Sequence, residues 1–211
     1  MADPATPPAH YFSPEPAVAT HPRTVTVHLP DQTIQLQTDR GVFSLAGLDP
    51  GTDVLLRGIP PPPRTGTLLD LGCGHGVVAL AIARRAPAAR VVAIDVNQRA
   101  LDLARTNAAG NGVENVDVRR PDEVDPGLRF AAIYSNPPIR VGRAQLLDLL
   151  GTWLARLEPN GHAYLVVQRH LGADSLARRL QAQGLEVVRM RSKRGYRLLD
   201  VRDPQPTSHH G

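Results

Sequence analysis

One stretch of the chain, LLDLGCGHGVV, combines residue types that could bind a ligand. It places Asp70 two residues ahead of Gly72, Gly74 and Gly76, where an apolar run meets an amphipathic one. Glycines at such a junction let the backbone turn sharply and let a ligand approach a helix N-terminus with no Cβ in the way. Their G-x-G-x-G spacing differs from the G-x-G-x-x-G of dinucleotide-binding loops. An aspartate beside the loop would repel a pyrophosphate but suits an ammonium group.

Two further aspartates follow the next two β-branched runs. Asp95 comes 25 residues after Asp70, at the end of RVVAID, where a carboxylate can accept hydrogen bonds from both hydroxyls of a ribose. Asp122, in RRPDEV, can accept a hydrogen bond from an adenine amino group. Because open α/β sheets bind ligands at the carboxyl ends of their strands, these acids predict a nucleoside-containing ligand at that edge. NAD and S-adenosylmethionine both fit, although each acid alone could instead be a helix N-cap.

A second stretch with possible chemistry is SNPPIR, in which Asn136, Pro137 and Pro138 end an apolar run. Prolines cannot donate ladder hydrogen bonds and they fix φ, so they stop a strand and stiffen the backbone. In a doubly wound sheet the strand 130–135 lies beside the strand 67–71, so Asn136 is predicted to face the glycine loop across the switch point. The simplest alternative is that this stretch only begins a loop.

An alternation of strands and helices must position these residues. Short β-branched runs separated by amphipathic runs are typical of a parallel α/β sheet. The predicted strands are 67–71, 90–95, 115–119, 130–135 and 162–167, and the predicted helices are 77–85, 98–109, 143–157 and 175–183. Two last strands, 185–190 and 196–201, have no helix between them and must pair as an antiparallel hairpin. The predicted fold class is α/β, a Rossmann-like doubly wound seven-stranded sheet, mostly parallel with an antiparallel last strand.

The chain ahead of this sheet has a different pattern. TVTVHLPDQTIQLQT alternates apolar and polar residues on both sides of Pro30 and Asp31, which predicts a β-hairpin with its turn at the proline. The predicted organisation is therefore a flexible Pro-rich N-terminus at 1–22, a β-hairpin accessory segment at 23–58, the α/β domain at 59–202 and a flexible tail at 203–211.

Composition excludes several classes of protein. Cys73 is the only cysteine, which rules out an intramolecular disulfide, and no Cys/His cluster has zinc spacing, so no metal site is predicted. The chain shows neither a signal peptide nor a run of about 18 apolar residues, which predicts a cytoplasmic protein without a membrane contact. The net charge is +4, and Lys193 is the only lysine. This arginine excess favours a polyanionic partner only weakly, because it is also typical of a GC-rich coding sequence.

The ordered motifs resemble the class I S-adenosylmethionine-dependent methyltransferases, and within them the single-domain members of the small-ribosomal-subunit (16S) rRNA guanine-N2 methyltransferase family. HYFS, GVFS, LDPGTDVLL, LLDLGCGHG, AIDVNQRAL, SNPPIR and KRGYRLL carry the resemblance. It implies that 59–202 is a methyltransferase domain with S-adenosylmethionine as its cofactor. The implied cofactor-binding residues are Asp70, Gly72, Gly74, Gly76, Asp95 and Asp122. The implied reaction is methyl transfer to an exocyclic amine, most closely guanine N2 of RNA, as ribosomal RNA or a ribosomal subunit.

In this family the Asn-Pro-Pro element holds the amine that is methylated. The lone pair of that amine is delocalised into the base, so the nitrogen attacks poorly unless it is held out of conjugation. The side-chain oxygen of Asn136 and the carbonyl of Pro137 could accept the two amine protons, while Pro138 keeps both acceptors in place. Catalysis would then come from positioning and electrostatics, without a dedicated strong base.

The chain departs from the family pattern at two points. The position after the two prolines is Ile139, where many amine methyltransferases have an aromatic residue that stacks on the target base. Phe43 of GVFS could supply that surface instead. The two-domain relatives also have a second, degenerate methyltransferase-like half, which a chain of 211 residues cannot contain. Substrate binding would fall to the N-terminal segment, a partner or a dimer mate.

Several arginines could hold the phosphates of an RNA acceptor. Arg140 and Arg143 follow the Asn-Pro-Pro element and could reach the phosphates that flank the target base. The stretch RMRSKRGYR near the far end of the sheet adds Arg189, Arg191, Lys193, Arg194 and Arg197. This second cluster could equally be a solvated hairpin turn.

Three alternatives to an RNA guanine methyltransferase stay open. A protein glutamine or adenine amine methyltransferase uses a similar Asn-Pro-Pro element. A ribosome-assembly or RNA-binding factor could keep the fold without turnover, although the intact glycines, Asp95 and Asn136 argue against it. An NAD oxidoreductase is disfavoured by the loop spacing and by Asn-Pro-Pro.

Overall fold

The computed structural model describes residues 22–39, 48–137 and 142–204, with Arg143 described by its backbone alone. The predicted Pro-rich N-terminus and tail lie outside these residues except for Pro22, Asp203 and Pro204. The strands are β1 (Arg23–His28), β2 (Thr33–Thr38), β3 (Thr67–Leu71), β4 (Arg90–Ile94), β5 (Val116–Arg119), β6 (Phe130–Ser135), β7 (Leu157–Gln168), β8 (Glu186–Lys193) and β9 (Tyr196–Arg202). The helices are α1 (Pro50–Gly58), α2 (Val77–Arg85), α3 (Gln98–Gly110), α4 (Arg143–Leu154) and α5 (Ala173–Ala182), with a 3₁₀ turn at Pro121–Glu123.

The main sheet has the predicted doubly wound topology. Its seven strands run in the order β5-β4-β3-β6-β7-β9-β8. The pairs β5-β4, β4-β3, β3-β6 and β6-β7 are parallel, whereas β9 is antiparallel to both of its neighbours. The later strands therefore lie on both sides of β3, with β4 and β5 on one side and β6 to β9 on the other, and β3 and β6 meet at the switch point. The prediction of a mostly parallel sheet with an antiparallel last strand is confirmed.

Several elements differ from the sequence prediction. The helix α1 was missed within a segment that was predicted as a β-hairpin, although Asp49 and Pro50 form a recognisable start signal: the Asp49 side chain accepts hydrogen bonds from the first turn, and the proline occupies it. The helix α4 ends at Leu154, before the predicted 157, and β7 begins at Leu157 rather than at 162. The residues EPNG look like a loop but form the irregular first part of β7, in which Leu157 pairs with Phe130.

Each face of the sheet is covered by its own core. On one face the strands pack against α1, α2 and α3, and the separate β1-β2 sheet lies outside these helices with Ile34 and Leu36 fully buried. On the other face α4 and α5 cover residues such as Leu69 and Val92. Successive residues of one strand thus enter different cores, as Leu68 and Leu69 do, which explains why the central strands are continuously apolar.

Two asparagine side chains of α3 attach the hairpin to the α/β domain. The Asn107 amide accepts from Gln37 N (2.6 Å) and donates to Gln37 O (2.9 Å). One helical turn later, the Asn111 amide accepts from Gln35 N (3.3 Å) and donates to Gln35 O (2.6 Å). The two amides therefore act as a strand neighbour along the outer edge of β2. Asn107 also donates to the carbonyl of His75 in the glycine loop (2.9 Å).

Within the described residues, no helix is long and apolar enough to cross a membrane. The same part of the chain contains no group of three His, Cys, Asp or Glu side chains that could hold a metal ion.

Candidate active site

A pocket lies at the carboxyl ends of β3 and β6, beside the first turn of α1. Its lining residues are Asp49, Thr52, Asp70, Gly72, Cys73, Gly74, His75, Val77, Val78 and Asn136. The structure thus brings together four of the residues singled out in the sequence, namely Asp70, Gly72, Gly74 and Asn136. It adds two residues from α1 that the sequence analysis did not assign.

The glycine loop between β3 and α2 leaves open space for a ligand. Gly72 (φ 77°) and Gly74 (φ 53°) both adopt left-handed conformations, and a Cβ at either position would meet nothing within 4 Å. The amides of Gly72 and Cys73 both donate to the Ile94 carbonyl at 2.9 Å, which fixes the loop on β4. Gly76 has a different task, because its Cβ would lie 3.0 Å from that of Ala104. It allows α2 and α3 to approach closely and does not line the pocket.

Asp70 is a buried acid at the base of the pocket. Its Oδ2 accepts a hydrogen bond from Ala79 N (2.9 Å) and so caps α2 from the preceding strand. Burial raises the pKa of Asp70 to about 7, and the nearby Asp95 adds to this rise. A cationic group in the pocket would compensate this buried carboxyl, so its surroundings fit a ligand that carries an ammonium group.

Asp95 is tied to the glycine loop. Its Oδ2 accepts from Gly74 N and its Oδ1 from Asn97 N, both at 2.9 Å. Burial raises the pKa of Asp95 above its usual range, against the effect of these hydrogen bonds. The carboxylate retains further lone pairs that could accept from ribose hydroxyls. Its place at the end of β4, joined to the open glycine loop, fits a nucleoside.

Asp122 lies farther from this pocket than the sequence analysis implies. It sits on the 3₁₀ turn after β5, at the same edge of the sheet, but it does not line the pocket. Its side chain is 74% exposed and pairs with Arg120 at 3.3 Å. The contact with an adenine amino group therefore remains a prediction.

Asn136 is held from the side by α1. Its Nδ2 donates to Asp49 Oδ2 (2.8 Å) and to Thr52 Oγ1 (3.1 Å). A carboxylate only accepts hydrogen bonds, so the NH₂ of the amide must face Asp49 and the oxygen must face away. Within the described residues no donor contacts that oxygen. Asn136 therefore presents a fixed hydrogen-bond acceptor in the pocket.

Asp49 has a second function as the N-cap of α1. The same Oδ2 that holds Asn136 accepts from Gly51 N (2.8 Å) and Thr52 N (3.0 Å). The side chain that starts the helix thus also orients the amide at the end of β6. The sequence signal for Asp49 was its cap position, but its contact with Asn136 spans 87 residues and leaves no local pattern.

Two other groups of the pocket are poorly suited to acid–base or nucleophilic chemistry. Burial raises the pKa of the Cys73 thiol well above its usual range, with Asp95 and Asp70 adding to the effect. Burial lowers the pKa of His75 to about 4, and its Nδ1 has no hydrogen-bond partner in the described part of the chain. Cys73 is therefore a thiol and His75 a neutral imidazole at physiological pH.

The remaining predicted site residues are only partly visible. Phe43, Pro138, Ile139 and Arg140 lie outside the described residues, and Arg143 begins α4 without a described side chain. Pro137 is buried directly after Asn136. The hydroxyl of Ser135 donates to Leu71 O (2.8 Å), which joins the ends of β6 and β3 at the pocket.

Comparison with known proteins identifies relatives over nearly the whole chain. The family model of the methyltransferase small domain matches residues 33–200. The uncharacterized protein YbxB of Bacillus subtilis is 32% identical over 196 residues, covering 92% of this chain and 98% of YbxB. Ribosomal RNA small subunit methyltransferase C of Hahella chejuensis is 42% identical over 146 residues, covering 66% of this chain but only 42% of that protein.

A solved structure shares the fold. The T. thermophilus 16S rRNA N2 G1207 methyltransferase, in complex with AdoMet and guanosine, matches with a TM-score of 0.74 at 23% identity. The match covers 90% of this chain and 52% of that one. The chain thus spans about half the length of these larger relatives.

Proposed function

The chain belongs to the methyltransferase small domain family and is an S-adenosylmethionine-dependent methyltransferase, and we propose that it methylates the N2 amine of a guanine in RNA. The observation that carries this proposal is the fixed acceptor oxygen of Asn136 in the same pocket as the open glycine loop. An amine presented to that oxygen would lie beside the cofactor. The names of the relatives support ribosomal RNA as the acceptor.

The residues in and around the pocket fit the cofactor. Gly72 and Gly74 would let it approach the backbone, Asp70 would accept from its amino group, and Asp95 would accept from its ribose hydroxyls. Gly76 would contribute by keeping α2 and α3 together, and Asp122 would accept from the adenine. When bound, S-adenosylmethionine supplies an electrophilic methyl group on a sulfonium.

The catalytic work of the protein is to position the acceptor amine. The Asn136 oxygen and the Pro137 carbonyl would accept its two protons, which draws the nitrogen lone pair out of conjugation with the base. Asp49 and Thr52 prevent rotation of the Asn136 amide, and Pro138 would stiffen the backbone that follows. Such positioning can lower a barrier by about 7–11 kcal/mol in favourable cases. With Cys73 and His75 unsuited to proton transfer, no side-chain base is assigned.

The RNA side of the site would draw on residues around these two elements. Phe43 would stack on the target base, with Ile139 beside it, and Arg140 and Arg143 would bind flanking phosphates. The accessory segment 23–58 would take part because its helix α1 carries the residues that hold Asn136. A ribosomal RNA acceptor would place the enzyme in the cytoplasm.

Methyl transfer from tritiated S-adenosylmethionine tests this function. Total RNA, ribosomal subunits and total protein serve as acceptors, and the labelled product is identified after digestion to nucleosides or amino acids. We expect N2-methylguanosine. The Asn136→Ala variant should keep its cofactor affinity within a few-fold while turnover falls by about two to three decades, which is the typical loss when one preorganised polar group is removed.

The controls separate this function from its rivals. Asp148→Asn, an exposed carboxyl in the middle of α4 that does not line the pocket, should leave turnover unchanged. Label in N6-methyladenosine or methylglutamine would refute the guanine assignment and leave the amine class intact. Cofactor binding without transfer to any acceptor would favour a non-catalytic RNA-binding factor.

A further inference from the structure

A second cavity, of about 500 Å³, lies on the outer side of α1, between β1 and the turn that joins β8 to β9. Its lining residues are Thr26, Val27, His28, Leu48, Asp53, Arg57, Lys193 and Arg194. Three of these carry permanent positive charges and one carries a negative charge, so the cavity is basic even with His28 neutral. None of these residues belongs to the pocket at Asn136.

The single carboxylate of the cavity arranges two of its cations. Asp53 is almost fully buried, and it contacts Arg57 at 2.5 Å and Arg194 at 3.2 Å. Arg57 also donates to the His28 carbonyl (2.9 Å), which fixes its guanidinium against β1. Arg194 remains 60% exposed, and Lys193 has no carboxylate partner among the described residues. Arg57 is thus pre-oriented, whereas Arg194 is largely exposed and keeps N–H donors beyond the one that contacts Asp53, and the exposed Lys193 ammonium is available to an anion.

The turn at Arg194 uses a residue that its backbone does not favour. Lys193 pairs with Tyr196, so Arg194 and Gly195 form a two-residue hairpin loop. Both have positive φ, 50° and 80°, which is the geometry that selects Asn-Gly or Gly-Gly. An arginine at the first of these positions is strained. The backbone conformation therefore does not explain the arginine at this position. Its side chain lines the cavity and contributes a positive charge there.

The cavity adjoins the Asn136 pocket across one helical turn. Leu48 and Asp53 line the cavity, whereas the N-cap Asp49 and Thr52 line the pocket, so neighbouring residues at the start of α1 face the two sites. Tyr196, next to the turn, packs so closely on Gly51 that a Cβ there would lie 2.7 Å from its ring. The basic turn is thereby held against the first turn of α1.

We propose that this cavity binds phosphates of the RNA strand on one side of the target nucleotide, with Lys193 and Arg194 as the contacting groups and Arg57 as a fixed neighbouring charge. This inference rests on the RNA acceptor proposed above. A strand whose base enters the Asn136 pocket must continue over the protein surface. The cations of the cavity lie next to that pocket, across the first turn of α1. Phosphate contacts of this kind set the register of the strand without reading its sequence.

The test compares the parent protein with a Lys193→Ala/Arg194→Asn double variant. Asparagine suits the left-handed turn position, so the hairpin should fold. The matched control, Arg64→Ala/Arg129→Ala, removes the same charge from two exposed arginines just before β3 and β6, at the opposite edge of the sheet. Binding of a fluorescent single-stranded RNA that contains guanosine is measured by anisotropy at several salt concentrations.

Two cavity contacts predict a defined change in salt dependence. The log–log slope of affinity against salt should fall by about 1.4 in the double variant and by about 0.7 for Lys193→Ala alone, since each phosphate contact of a single strand contributes about 0.7. The control should keep the parent slope, and cofactor affinity should not change. An unchanged slope, or an equal decrease in the control, overturns the cavity site while RNA methylation by the parent stands. The proposed acceptor is tested separately, by the methyl-transfer assay. If the parent protein methylates protein instead of RNA, the proposed RNA acceptor is wrong.

Discussion

The carboxylate of Asp49 should set the turnover of this enzyme although it is expected to touch neither the methyl group nor the amine. Its Oδ2 receives three hydrogen bonds, from Gly51 N, Thr52 N and Asn136 Nδ2. A hydrogen bond to a charged group contributes about 1.5–3 kcal/mol. If this interaction holds the Asn136 amide in its reactive orientation, Asp49→Ala should lower kcat roughly 10- to 150-fold at 1.36 kcal/mol per decade.

Two further variants separate orientation from folding. Asp49→Ala also removes a helix cap and should cost about 1 kcal/mol of stability. Asp49→Asn keeps an oxygen for all three donors and preserves the cap, so it should retain stability and lose only about fivefold in kcat, the difference between a charged and a neutral acceptor. Thr52→Val removes a neutral acceptor of Asn136 and should lower kcat about two- to tenfold.

The assay is methyl transfer at saturating RNA, together with cofactor affinity by calorimetry and stability by urea unfolding. The expected pattern is a loss in kcat with cofactor affinity within threefold of the parent. The reasoning is wrong if Asp49→Ala retains the parent kcat in a folded protein. It is also wrong if the loss appears in cofactor affinity instead, because Asp49 would then be a cofactor ligand.

Two further predictions concern the two acids beside the glycine loop, Asp95 and Asp70. Asp95→Ala should weaken cofactor binding roughly tenfold to a hundredfold, because ribose hydroxyls would lose charge-assisted hydrogen bonds of about 1.5–3 kcal/mol; unchanged affinity in calorimetry would exclude the ribose contact. The pKa of Asp70 is about 7 in the folded protein, above the usual 3.8. As pH rises from 4 to 7, Asp70 loses its proton in the unfolded chain before it does in the folded protein, so its contribution to the stability of the ligand-free protein decreases. Urea unfolding at pH 5 and pH 8 should therefore show the stability of Asp70→Asn rising relative to the parent by about 2.7 kcal/mol, since about two pH units separate pH 5 from the folded pKa and each unit is worth about 1.36 kcal/mol. A pH-independent difference would contradict the buried, protonated acid.

The sheet was accessible from the sequence because its signals are local. Each central strand is a short, mostly apolar run, and the glycine, acid or asparagine that follows it marks a strand end. The start of β7 was not accessible, since Asn160 has a left-handed φ of 64° and Gly161 follows it, which locally reads as a turn. Only pairing of Leu157 with Phe130, 27 residues earlier in the chain, makes this segment a strand.

The site was predictable in its individual residues more than in their contacts. The positions of Asp70, Gly72 and Asn136 follow from strand ends and topology. The helix α1 was missed because DVLL within it resembles a short apolar strand, and its nine residues give little helical periodicity. Without α1 the partners of Asn136 could not be found, since nothing in SNPPIR indicates which distant side chains hold the amide.

The asparagines of α3 have a mechanical consequence for the enzyme. Four residues of a helix advance about 6 Å, and two residues of a strand advance about 6.8 Å. The spacing of Asn107 and Asn111 therefore matches that of Gln37 and Gln35, which are two residues apart on β2 and point their backbone groups in the same direction. A slip of β2 by one residue would turn its inward side chains outward and present the wrong backbone groups to both amides. The two amides thereby fix the register of the hairpin relative to α3. Because the amide of Asn107 also grips the glycine loop, any force on the hairpin is transmitted to the loop that faces the pocket.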